Sequence, residues 1–523
     1  MEQITVHKEA AMLRNPLLPG FYPDPSICRV GDDFYMVTSS FAYYPGVPVF
    51  HSRDLVHWEQ IGHCLHRPSQ LPLDWLSISG GIYAPTIRHH DGLFYMITTN
   101  VSHGGNFYVT AEDPAGPWSE PRYIKNAPGI DPTLFWDEDG AVYMMGTTDW
   151  NDEGQGVWVG RIDLTTDTVT DRAVVWRGAA VNAWAPEAPH MYKKDGWYYL
   201  MIAEGGTEDF HAVTIARSQS PLGPFEGYKG NPILTHRHLG FNYPIANVGH
   251  GDLVQLADGS WYMVALASRI YGGYHKNLGR ETFIAPVDWS GEWPVVSPGT
   301  GKIEWEYPAP ALPAHPFAAP DQDDFTALCW NTLGTPEEGC VTIGSGVLTL
   351  RSRQDWLVPD DLPHPPAPNG CPGFYARRQQ HMDFTASVDV ALDGPGEAGI
   401  LLLQNGFNHL RVSLRRTEEG CTLRAVRCEK CGRPDYENPN PATHPRIVTV
   451  LWEAPCAVPE CTVAIAAKGQ AHTLLVNGTP VATTDGGFLG SETAGGFVGA
   501  YVGCFVSGEG ARADFRHFRY TGK

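Results

Sequence analysis

The segment V-N-A-W-A-P-E-A-P-H at residues 181–190 sets one carboxylate, Glu187, among alanines, prolines and a tryptophan. Pro186 and Pro189 hold the backbone extended and exclude a helix. A carboxyl group in apolar company has its charged form disfavoured, so its pKa rises and it can keep a proton near neutral pH. That is the property a general acid needs. A lone glutamate is as readily a water-facing residue at a strand edge, so the weight falls on whether other acids converge with it.

An internal repeat brings two of them there. Five copies of one unit fall within the first 290 residues or so. They read D-P-S-I-C-R-V-G-D-D-F-Y-M-V from Asp24, A-P-T-I-R-H-H-D-G-L-F-Y-M-I from Ala84 and D-P-T-L-F-W-D-E-D-G-A-V-Y-M-M from Asp131. The last two are A-P-E-A-P-H-M-Y-K-K-D-G-W-Y-Y-L-M from Ala185 and G-D-L-V-Q-L-A-D-G-S-W-Y-M-V from Gly251. Each is a short apolar run, an Asp-Gly-like turn and an aromatic run, the pattern of a hairpin. Further strand signals between copies bring each period of roughly 45 to 70 residues to about four strands, which predicts a five-bladed β-propeller over a solenoid or a sandwich.

In a propeller the first strand of every blade lines the axis, and its entry end opens at one face. Asp24, Ala84, Asp131, the stretch at 185–187 and the stretch at 249–252 therefore converge. An Asp before Pro is also a common turn residue, but repeats serving only as scaffold would carry like residues at matching points. The loops add Phe41, Tyr43, Tyr44, Trp75, Tyr83, Trp184 and His250. Aromatic faces beside carboxylates suit a sugar ring, which has apolar faces and hydroxyl edges.

Length and composition set the frame for that site. The 523 residues are too many for one core and predict two domains. Hydrophobic residues at 42% with 57 Gly and 43 Pro suit a soluble protein of strands and turns. A formal charge of −21 disfavours nucleic acid and anionic membrane as partners. The N-terminal M-E-Q-I-T-V-H-K-E-A-A-M-L-R-N-P has no apolar core of a secretory signal, and no apolar run is long enough to span a bilayer. With eleven cysteines, an odd number, the reading is free thiols in a cytoplasmic protein. The C-x-x-C of Cys428 and Cys431 lacks the second well-spaced pair of a zinc site and reads as loop thiols, so no metal is assigned.

A Pro-rich stretch at 306–320 reads as an extended linker, which places a propeller domain at 15–305 and a second domain at 321–523. Beyond the linker, T-A-S-V-D-V-A-L, N-H-L-R-V-S-L-R and H-T-L-L-V alternate with period two, predicting an antiparallel β-sandwich.

The segments N-P-L-L-P-G-F-Y-P-D-P-S, G-I-D-P-T-L-F, W-A-P-E-A-P-H and G-H-G-D-L-V, in order from about Asn15, resemble glycoside hydrolase family 43. F-Y-A-R-R-Q-Q-H-M-D-F from Phe374 and G-G-F-V-G-A-Y-V-G from Gly495 resemble the lectin-like (concanavalin A-like) sandwich of its β-xylosidase and α-L-arabinofuranosidase branch. The resemblance implies an all-β enzyme, a five-bladed propeller followed by a sandwich. It would remove terminal β-D-xylose or α-L-arabinofuranose from small plant cell-wall oligosaccharides, β-xylosidase being favoured. It makes Asp24 the general base, Glu187 the general acid and Asp131 the residue that tunes and orients the acid. Phe41, Thr207, His250 and Arg280 match sugar-pocket positions, and an aromatic near Tyr501 would reach the sugar from the sandwich, which then acts as a pocket wall rather than an independent sugar-binding module. The family's β-xylosidases carry Trp and Phe where this chain has Tyr83 and Ile130, two positions that would touch the terminal sugar.

Two carboxyls roughly 6.5 to 9.5 Å apart admit a water and give inversion of configuration. An ionised Asp131 close to Glu187 would raise the latter's pKa by like-charge repulsion. No cofactor is required. Whether Ca²⁺ or only water and sugar meets His250 stays open, and oligomeric state has no signature in the sequence. A glycan-binding protein without catalysis is the alternative from another class, but binding needs no protonated acid opposite a base.

Overall fold

The computed structural model describes residues 11–73, 77–180, 183–317, 324–352, 373–430 and 446–523. Each repeat forms the expected hairpin, and the turn chemistry is visible in the dihedral angles. Asp91-Gly92 joins Thr86–His90 to Leu93–Asn100, and Asp195-Gly196 joins Glu187–Lys194 to Trp197–Glu204. All four turn residues have φ between 48° and 80°, the left-handed pair that a two-residue hairpin turn requires.

Five four-stranded antiparallel sheets follow in chain order. The first runs Ser26–Val30, Asp33–Val37, Gly46–Ser52 and Glu59–Leu65, and the second Thr86–His90, Leu93–Asn100, Gly105–Ala111 and Arg122–Tyr123. The third runs Thr133–Trp136, Val142–Thr147, Val157–Asp163 and Thr168–Trp176. Glu187–Lys194, Trp197–Glu204, Ala212–Ser218 and Glu226–Gly227 make the fourth, where Leu234–Thr235 adds a fifth strand beside Ala212–Ser218. Ile245–Gln255, Trp261–Arg269, Glu281–Asp288 and Val295–Val296 complete a five-bladed propeller.

The innermost strands are tied together on a single buried carboxylate. Asp252, fully buried in the fifth blade, accepts from Ser26 Oγ of the first at 2.7 Å, from Arg88 Nη1 of the second at 2.8 Å and from the Tyr192 hydroxyl of the fourth at 2.7 Å. His190 Nδ1 lies 3.0 Å from Arg88 Nη2 and 3.1 Å from Thr133 Oγ1, which brings in the third blade. Burial, the largest single influence, would raise the Asp252 pKa, but Arg88, His190 and the Tyr192 hydroxyl together outweigh it and hold the carboxyl well below the usual range. Asp252→Ala would strand Arg88 without its counter-charge. We expect a loss of about 3–5 kcal/mol, read as a lower denaturant midpoint; an unchanged midpoint would refute the role.

The chain ends of the propeller are also stitched. Met12–Arg14 pairs with Glu306–Pro308, and the Asn15 side chain donates to the carbonyls of Ile284 and Glu304. The Pro-rich stretch is thus extended, as its composition predicts, yet docked over its described part. Tyr307 is buried with its hydroxyl accepting from Glu304 N, and His315 N donates to Asp54. Prolines removed donors from this stretch, and of the remaining N–H groups Ala309 bonds to Ala11 O while Leu312 bonds within the stretch to Pro310 O.

The second half forms two antiparallel sheets. One orders Arg446–Pro455, Gly420–Lys430, Asn408–Thr417, Gly396–Asn405, Tyr501–Ser507, Gly373–Arg378 and Asn331–Leu333. The other orders Val341–Gly344, Val347–Arg351, Arg512–Gly522, Phe384–Asp393, Glu460–Lys468, Ala471–Val476 and Thr479–Asp485. Along Phe384–Asp393 the buried positions alternate, as period two predicts. The first sheet has an eighth strand that the sequence did not suggest. Tyr43–Tyr44, from a loop of the first blade, pairs with Asn331–Leu333. A shared apolar cluster of Phe21, Phe41, Tyr43, Phe374, Tyr501 and Phe505 with their neighbours lies across that junction. Among the described residues no helix is long and apolar enough to cross a membrane.

Candidate active site

Asp24, Asp131 and Glu187 lie where the repeat places them, at the entry ends of the first, third and fourth innermost strands. The local backbone is unusual. Asp24 and Asp131 have φ of 55° and 56°, and so do Ala185 and Ala188 on either side of Glu187, at 47° and 52°. Residues other than glycine rarely adopt this region, and all four precede a proline. Such conformations cost of order 1–3 kcal/mol each and persist only where surrounding contacts impose them. The imposing contacts are present. Ala185 N donates to Gln155 Oε1 at 2.8 Å, and Gly205 N to Trp184 O at 2.6 Å. A register shift follows Glu187 in its strand, the kind of bulge that re-aims a side chain.

Asp24 is buried and firmly held as an acceptor. Ser39 Oγ donates to its Oδ2 at 2.5 Å and Arg280 Nη1 to its Oδ1 at 2.8 Å, with His250 Nδ1 3.6 Å from the same Oδ1. Burial lowers the His250 pKa, so its ring is neutral at neutral pH. Arg280 Nη1 also reaches Thr207 Oγ1 at 3.0 Å. Asp24, Thr207, His250 and Arg280, far apart in sequence, therefore form one polar group.

The Glu187 and Asp131 carboxyls are both pushed up. Burial is the leading cause for Glu187, the charge of Asp24 the second, and the carboxyl rises to about 7 in spite of Arg280. Asp131 is raised well above the ordinary value, by burial first and then by the charges of Glu187 and Asp24. Its carboxyl also accepts from the N–H of Ala188, the residue after Glu187. Like-charge repulsion between Asp131 and Glu187 is thus present, and the charge of Asp24 adds to it at both carboxyls.

Aromatic rings wall the polar group. Phe41 packs on Tyr83 at 5.1 Å and on Phe497 at 6.3 Å, and the Arg280 guanidinium lies 5.5 Å from the Phe41 ring. Ile130 is fixed two ways to Thr147, donating its N–H to Oγ1 and accepting from the Thr147 N–H. Tyr501 is not a wall residue. It is 0% exposed, stacked 3.7 Å from Tyr43 within the shared cluster, because its strand lies between two others and turns that ring into the junction. The sandwich aromatic that meets Arg280, Phe41 and Tyr83 is Phe497. Both rings sit in G-G-F-V-G-A-Y-V-G, and only the position of the strand start separates them.

Of the other loop aromatics, Tyr43 is buried, Trp184 is 60% exposed beside Trp150 at 5.7 Å, and Trp75 lies outside the described residues. Ser39 was missed by sequence reading; its only signal is the T-S-S-F that leads to Phe41. His211 was missed too. It is buried with Nδ1 on Asn247 O, and a Cβ on Gly249 would fall 2.4 Å from its ring, so glycine before His250 admits the imidazole.

Among the described residues no group of three or more His, Cys, Asp or Glu is placed to hold a metal. Cys431 of the C-x-x-C lies outside the described residues.

Comparison with known proteins agrees with this geometry. The profile of glycosyl hydrolases family 43 matches residues 13–294, and that of the β-xylosidase C-terminal concanavalin A-like domain matches residues 322–521. The chain is 47% identical to a xylosidase/arabinosidase of Butyrivibrio fibrisolvens over 76% of this chain and 79% of the relative. It is 38% identical to a non-reducing end α-L-arabinofuranosidase of Bacteroides ovatus over 97% of this chain and 94% of the relative. A solved xylan β-1,4-xylosidase of Bacillus halodurans superposes with a TM-score of 0.86 at 32% identity, covering 97% of this chain and 100% of that one.

Proposed function

The chain belongs to glycosyl hydrolases family 43, and from that premise we propose an inverting, exo-acting glycosidase that removes terminal β-D-xylose, and α-L-arabinofuranose as a second substrate, from small plant cell-wall oligosaccharides. The observation that carries the reading is the contrast between two acids. Asp24 is held as a charged acceptor by Ser39 and Arg280, while Glu187 is raised to about 7. Opposed protonation at one mouth is what hydrolysis of a glycosidic bond needs.

In this mechanism Glu187 gives its proton to the leaving oxygen as the bond to the anomeric carbon breaks. Asp24 takes a proton from a water that attacks the same carbon from the opposite face, so the released sugar has inverted configuration. Asp131 shares the acid's proton and, through the Ala188 N–H, keeps the Glu187 backbone in place. Phe41, Tyr83 and Phe497 offer rings to the sugar, and Thr207 and His250 offer polar atoms beside Asp24. Side chains and water suffice for every step.

β-Xylosidase is favoured as the main activity. The arabinofuranosidase alternative rests on the full-length likeness to the Bacteroides ovatus enzyme and on Tyr83 and Ile130. Rates on aryl β-D-xyloside and aryl α-L-arabinofuranoside rank the two, and no turnover of either would defeat the proposal. A time-resolved proton NMR experiment on xylobiose is expected to show α-xylose first; β-xylose as the first product would rule out inversion.

A further inference from the structure

We propose that Asn277 and Glu492 are positioning residues: they clamp the loop carrying Arg280 onto the sandwich, so that the second domain sets the geometry of Asp24. The proposal rests on the reading of Asp24 as the base.

Arg280 sits at the end of the loop joining Trp261–Arg269 to Glu281–Asp288. Its guanidinium is divided between the two domains. Nη1 holds Asp24 Oδ1 and Thr207 Oγ1 in the propeller, while Nε and Nη2 face the carbonyl oxygen of Phe497 at 3.4 and 3.3 Å. A long arginine stem has many rotamers, and Phe497 O selects one of them. The place of Asp24 thus depends on where the Phe497 backbone lies relative to the loop.

Two clusters fix that relation. Asn277, fully buried, donates from Nδ2 to Gly486 O at 2.9 Å and to Gln470 Oε1 at 3.3 Å. Its Oδ1 accepts from Gln470 Nε2 at 3.1 Å, and its main-chain carbonyl from Ala500 N at 2.9 Å. All four bonds cross to the sandwich. Glu492 works from the other side, with Oε1 2.8 Å from His275 Nδ1 and Oε2 accepting from Lys276 N at 3.1 Å. Between the clusters the two backbones touch: a Cβ on Gly279 would lie 2.7 Å from Gly499 Cα, and one on Gly499 would lie 2.3 Å from Leu278 O. The cavity beside Arg280, bounded also by Thr207, Lys276, Glu492 and Phe497, measures about 20 Å³, room for about one water. Arg280 has little space to take another pose while the clamp is closed.

The mechanism described above needs Asp24 aligned with its water, and a displacement of the order of 1 Å far from the chemistry can cost about a hundredfold in rate. Glu492→Ala in the full-length chain is expected to lower kcat on aryl β-D-xyloside about ten- to a hundredfold with KM changed less than about threefold. Glu492→Gln, whose amide oxygen still accepts from the Lys276 N–H, should recover most of the kcat. Asn277→Ala should resemble Glu492→Ala. If it fails to fold, the Glu492 pair decides, since that side chain lies at the edge of the interface. An active wild type with Glu492→Ala unchanged in kcat overturns the clamp alone. An equal loss in Glu492→Gln overturns it as well, and a wild type inactive on both glycosides removes the functional reading together with the clamp.

Discussion

Glu187→Ala is expected to lower kcat about 10²–10⁴-fold on xylobiose, the usual contribution of a positioned general acid, and to leave a dinitrophenyl glycoside far less affected. The second leaving group departs without a proton, so the acid is dispensable there. In the wild type, activity should fall as pH rises through about 7, the value to which burial and the charge of Asp24 bring the Glu187 carboxyl. The sign follows from the role: the acid works protonated, and the proton is lost above that pH. The variant should lack this basic limb on the activated substrate. Equal losses on good and poor leaving groups would remove Glu187 from the acid role. Because Asp131 is also raised and faces the charge of Glu187, the limb reports the pair rather than one residue.

Asp24→Asn is expected to cost about 10²–10⁴-fold on every substrate, without regard to the leaving group, since activation of water is lost in each case. A second consequence separates it from general damage. The Asp24 charge is the second cause of the high Glu187 pKa, and Arg280 opposes it. Removing the charge leaves the Arg280 effect uncompensated, so the basic limb of the residual activity should move to lower pH. A limb that stays in place would show that Asp24 does not act on Glu187.

Much of the fold was legible because its signals are local. The hairpins are encoded by apolar runs and Asp-Gly turns a dozen residues long, as at Asp91 and Asp195, and counting them gives five blades. The sandwich strands show in the period-two runs at 385–392 and 408–415 for the same reason. The placement of Tyr43–Tyr44 in a sheet of the second domain was not legible, because a two-residue strand has no period and its partner lies almost 300 residues away. Likewise a Pro-rich stretch reads as a tether from composition, while its pairing with Met12–Arg14 depends on a segment at the opposite end of the propeller.

The candidate site divides in the same way. By itself the sequence determined the three acids, their matching places in the repeat and the family to which the chain belongs, because each is carried by a few contiguous residues. Only the tertiary structure decided that Phe497 and not Tyr501 faces Arg280, since that depends on which neighbours flank the strand. It alone distributed the protons as well. Burial and charge act through space: the Glu187 carboxyl is raised first by its burial and then by the charge of Asp24, 163 positions earlier and brought near it by closure of the propeller.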